Sequence, residues 1–73
     1  MFYALNEKNI VKFFASKTDR NKFVNQSKFR HALTSKRARA IMIERFMDRG
    51  YNAADFRNDY MSTVRDVYAR ETY

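Results

Sequence analysis

Proline, cysteine and tryptophan are absent from the chain, and glycine occurs once, at Gly50. Without proline or repeated glycine, the usual turn residues of hairpins, sandwiches and barrels are missing, which argues for helices. Without cysteine there are no disulfides and no thiolate zinc ligands, so a reducing, intracellular setting is favoured. A single histidine, His31, and the lack of a glycine-rich phosphate loop leave no recognisable set for nucleophilic, metal-assisted or phosphoryl-transfer chemistry. The chain therefore reads as a non-enzyme with no cofactor and no metal. His31, beside Arg30, reads as a solvated or interfacial residue. No apolar run approaches the roughly 20 residues that span a bilayer, and Met1 to Leu5 is too short for a signal-peptide core. A soluble, cytoplasmic protein with no membrane partner and no small-molecule substrate is expected.

What is present is enough to fold. A hydrophobic share of 45% and an aromatic share of 16% exceed what a disordered basic tail carries. Seventy-three residues make one domain, 1–73, with a small core and modest stability. The expected fold is all-α, a bundle of three to five helices. One helix is predicted from Asn6 to about Ser16, with Leu5 and Ile10 as a hydrophobic staple and Met1 to Ala4 as an apolar flap. Two short segments follow, Asp19 to Asn25 and Lys28 to Leu33, separated at Gln26-Ser27. A central helix capped by Ser35 runs to about Arg49, with Ala40, Met42, Ile43, Phe46 and Met47 inward, and Gly50 closes it. A last helix is predicted from about Ala53 to Arg70, capped by Asn52 with Asp55 as the reciprocal acid. Ala53, Phe56, Tyr60, Met61, Val64, Val67 and Tyr68 form its inner face, and Arg57 projects toward it and must snorkel or find a carboxylate.

The charge is unevenly placed. Up to Arg37 nine cations face two carboxylates, Glu7 and Asp19, whereas from Ala38 onward six arginines face six acids, so the first half carries the whole net charge of +7. A cationic half joined to a neutral one points to an anionic partner. The candidate contacts are Lys8, Lys12, Lys22, Lys28, Arg30, Lys36, Arg37 and Arg39. Lys36, Arg37 and Arg39 crowd a helix start, where cations oppose the dipole and folding does not ask for them. Asn21, Asn25, Gln26 and Ser27 add donors suited to phosphates and base edges.

These features favour nucleic acid, DNA or RNA, held by its phosphate backbone. The alternative is an adaptor or inhibitor that docks its cationic face on an acidic protein, such as a subunit of a polymerase, helicase or nuclease. Such a composition suits a phage-encoded or mobile-element accessory protein. Lys28 to Leu33, Thr34-Ser35 and the central helix have the outline of a helix-turn-helix. Phe23 and Phe29, each preceded by lysine or flanked by cations, read first as core anchors and second as base-stacking residues. Asp55, Asp59 and Asp66 share one stripe of the last helix, which reads as a solvated face in preference to a cation site.

Overall fold

Two asparagines near the start do the work that glycine usually does. The chain between Leu5 and Val11 reverses in a three-residue loop, Glu7-Lys8-Asn9, closed by Asn6 N donating to Ile10 O at 3.0 Å and Asn9 N donating to Asn6 O at 3.0 Å. Asn9 takes the left-handed conformation at φ 62°, and the Asn6 side chain accepts from Lys8 N at 2.9 Å and Ile10 N at 2.8 Å. Asparagine tolerates the left-handed region and its side chain mimics a turn carbonyl, so a hairpin forms without glycine. The computed structural model describes the backbone of residues 1–73 and the side chains of all of them except Ala53 and Asp55.

The fold is α+β, which corrects the all-α helical bundle expected from the sequence. Strand β1 (Phe2–Leu5) pairs antiparallel with β2 (Val11–Phe14) on one side and with β3 (His31–Leu33) on the other. The predicted helix from Asn6 and the predicted flap are therefore the two strands of the hairpin. Helix α1 (Lys17–Asn25) joins β2 to β3 and begins at Ser16, whose hydroxyl accepts from Asp19 N. The break expected at Gln26-Ser27 is present, but a tight turn and the strand β3 follow it, not a helix. Helix α2 (Ser35–Asp48) is capped by Thr34, one residue earlier than predicted, whose hydroxyl accepts from Arg37 N at 3.1 Å. With β3 in place of its first helix, the helix-turn-helix outline does not hold.

By contact, the chain divides into two compact units, Met1–Ala38 and Arg39–Tyr73. In the first, the strand register places Phe2, Ala4, Lys12, Phe14 and Ala32 on one face of the sheet. Helix α1 lies on that face, with Phe23 packed 5.2 Å from Phe14 and the Arg20 guanidinium over the Phe2 ring. The opposite face carries Tyr3, Leu5, Val11, Phe13, Leu33 and, at its exposed edge, His31; Tyr3 and Val11 are buried. Apart from Lys12 on one face and His31 on the other, both faces are apolar, so the strands largely lack the alternation that marks a half-exposed sheet, and a short apolar run then imitates a helix face.

In the second unit, Gly50 sits at φ 93° and ends α2. Tyr51 N donates to Phe46 O and Gly50 N to Met47 O, the Schellman pattern, with the Tyr51 and Phe46 rings 6.0 Å apart. Asn52 caps as predicted, accepting from Ala54 N at 3.0 Å, but it starts only a single 3-10 turn, Ala53–Phe56. Helix α3 (Met61–Thr72) begins after a separate break. The reciprocal cap assigned to Asp55 and the inward place assigned to Ala53 lie outside the described residues. Met42, Phe46, Phe56, Val64 and Tyr68 are buried, while Tyr60 and Met47, both expected inside, are 84% and 54% exposed.

Candidate nucleic-acid interface

The predicted cations fall into three structural situations. Lys8 stands at the hairpin tip, Lys22 on α1, Lys28 in the turn before β3, and Lys36 and Arg37 in the first turn of α2; all five are exposed. Lys12 lies on β2 opposite Ala4, half-buried and engaged within the molecule. Arg30 and Arg39 serve as internal brackets.

Arg30 joins three parts of the first unit. Its Nε donates to Glu7 Oε2 at 2.7 Å and its second terminal nitrogen to Glu7 Oε1 at 3.3 Å, a forked pairing with the hairpin loop. The remaining nitrogen donates to Phe23 O at 3.2 Å and to the Gln26 side chain at 2.8 Å, and the guanidinium lies 4.1 Å from the Phe23 ring centroid. The hydrogen bond to Arg30 holds the Glu7 carboxyl below its ordinary value, and the same bond raises the Arg30 guanidinium. Phe23 is thus a packed anchor, covered by Phe14 and Arg30.

Arg39 belongs to the second unit. One of its terminal nitrogens donates to the carbonyls of Phe56 at 2.7 Å, Arg57 at 3.3 Å and Asp59 at 2.6 Å. These are the carbonyls released where the predicted last helix breaks. Arg39 satisfies the backbone that this break frees. The break also separates Asp59 from Asp66, so the predicted acidic stripe does not run along one helix; Asp55 lies outside the described residues.

The sheet register resolves the basic patch into two ends, separated by a strand of four residues, about 10 Å. At the hairpin end, the Glu7–Arg30 pair ties the loop bearing Lys8 to the turn bearing Lys28 and Phe29. Phe29 is 63% exposed there, against its first reading as a core anchor. At the other end, an open cleft of about 420 Å³ is lined by Met1, Phe2 and Leu33 together with Lys17, Arg20, Thr34 and Ser35. Lys36 and Arg37 follow directly along α2. Arg20 also donates to Tyr3 O at 3.4 Å.

Lys17 and Arg20 were not among the candidates read from the sequence. With Asn6 to Ser16 taken as a helix, Lys17 marked its end, and only the hairpin reveals it as the start of α1. No known protein family, curated protein or solved structure matches the chain. No helix among the described residues is long and apolar enough to cross a membrane.

Proposed function

We propose that the chain is a non-enzymatic nucleic-acid-binding protein that contacts the phosphate backbone through exposed cations of its Met1–Ala38 unit. Those residues are Lys8, Lys17, Lys22, Lys28, Lys36 and Arg37. One observation carries the reading: the charge division in the sequence coincides with the division into compact units, so the net +7 belongs to a single folded body. Of the two carboxylates in that body, Glu7 is already bound by Arg30. Charge of one sign on so small a body raises the local concentration of a polyanion and steers its approach.

The test is anisotropy titration of fluorescent single-stranded and duplex oligomers over a range of salt. Engagement of about four to eight phosphates gives a log–log slope of roughly 3 to 7. A slope below about 1, or no binding at low salt, removes the proposal. A protein retained from nuclease-treated lysate beside such a result would support the acidic-protein alternative.

A further inference from the structure

We infer that Phe29 is a stacking platform for an unpaired base, so that the nucleic acid is bound single-stranded at the hairpin end of the sheet. This rests on the reading above and adds the strand state and the residue that selects it. Scattered exposed apolar side chains are ordinary on protein surfaces. Phe29 differs in how firmly its backbone is held outward. Its N–H donates to Ser27 Oγ at 3.2 Å, and Arg30 N donates to Ser27 O at 3.1 Å, which closes a tight turn beneath it. The next residue is Arg30, locked to Glu7, Phe23 O and Gln26. The turn is therefore ordered before any ligand arrives, and a bound partner bears little further ordering cost.

The surroundings specify the partner's chemistry. Lys28 Nζ lies 5.3 Å from the Phe29 ring centroid, and Lys8 occupies the loop that Arg30 ties to this turn. His31, exposed, follows on the edge strand. An aromatic face among cations suits a flat π-system carried on an anionic backbone. Bases within a duplex are stacked on one another, so a stacking contact of this kind needs a base that is unpaired.

The experiment compares the wild-type protein with Phe29→Ala and Phe29→Trp, using an oligo-dT probe and a duplex of equal length. Phe29→Ala should bind oligo-dT about 5- to 150-fold more weakly, the range set by base–aromatic stacking. Its duplex affinity and its salt slope should stay as in the wild type, because no charge is removed. Phe29→Trp should retain affinity, and its emission should be quenched on adding oligo-dT, a direct sign of stacking. Equal oligo-dT affinity in Phe29→Ala, an equal loss on both probes, or unquenched Phe29→Trp emission at saturation each overturns the inference and leaves the phosphate reading standing. If the wild-type protein binds neither probe, the phosphate reading falls and this inference with it. A lysate protein lost only in Phe29→Ala would then place Phe29 in a protein interface.

Discussion

All the lysines lie in Met1–Ala38, and the Arg39–Tyr73 unit has arginine as its only basic residue. Five lysines of the first unit, Lys8, Lys17, Lys22, Lys28 and Lys36, are exposed. In the second unit Arg39 gathers three carbonyls and Arg49 lies 3.8 Å from Glu71, which also accepts from the Tyr51 hydroxyl at 2.9 Å. The two arginines that turn inward in the first unit, Arg20 and Arg30, behave in the same way. Arginine has a planar fork of donors that joins several acceptors, whereas lysine is a compact, strongly hydrated charge. Positive residues therefore do not count equally toward a ligand-facing surface. In the first unit lysine marks that surface and arginine marks internal brackets, with Arg37 the exception, whereas Arg57 and Arg70 of the second unit are exposed.

The largest expected effect concerns the neutral unit. Val64 is fully buried, and Val64→Asp places an unpaired charge in the core, costing several kcal/mol against a total stability of roughly 5. Loss of the cooperative melt in circular dichroism is expected; a folded variant would show that α3 buries another face. Next come two neighbours with opposite duties. Arg39→Met leaves three carbonyls without their donor and should destabilise by about 2 kcal/mol in urea titration. Arg37→Gln, exposed, should change stability by less than about 0.5 kcal/mol but lower the salt slope by about 1. The opposite outcome at either residue would undo the distinction between bracket and ligand-facing cation.

A third, smaller effect compares the two left-handed positions. Asn9→Ala in the first unit and Gly50→Ala in the second should each cost about 1 kcal/mol, because alanine is strained at φ 62° and 93°. At Gly50 the space for a Cβ is open, so the cost is conformational and not a clash. Asn9→Gly should be neutral within about 0.5 kcal/mol, and a large loss there would mean that the asparagine side chain, not its backbone, sets the hairpin.

The second unit was largely legible and the first was not. Gly50 at the end of a periodic helix is a strong signal, and α2, its closure and the buried Met42, Phe46, Val64 and Tyr68 follow from local spacing. The hairpin hid for two physical reasons: asparagine replaced glycine at the left-handed position, and both faces of the sheet are mostly apolar, which blurs the alternation of Phe2 to Leu5 and Val11 to Phe14. Asn6-Glu7-Lys8-Asn9 between two apolar runs was the available cue. The break at Asn58-Asp59 depends on Arg39, some twenty residues away, and no local pattern contains it. The charge division was readable by counting; that Arg30 and Arg39 turn inward was not, because their partners are backbone carbonyls and a distant loop.

The least of the effects separates the units by pH. In the first, the hydrogen bond from Arg30 keeps the Glu7 carboxyl below its ordinary value of 4.5, so the unfolded chain binds that proton more readily. The pair's contribution is complete above 4.5 and fades as pH falls through the lower folded value. In the second, the bond to Glu71 raises Tyr51, and burial raises Tyr73 to about 12, so their contribution is complete below 10.0 and fades as pH rises. Melting temperature against pH should thus lose part of its acid fall in Glu7→Gln and part of its alkaline fall in Tyr51→Phe, with neither variant altering the other limb. If Glu7→Gln flattened the acid limb but left oligo-dT binding unchanged, the bracket would stabilise the turn without being needed to present Phe29. Weakened oligo-dT binding at neutral pH in that variant would instead tie the order of the turn to its use, since the substitution removes a negative charge and electrostatics alone would tighten a polyanion.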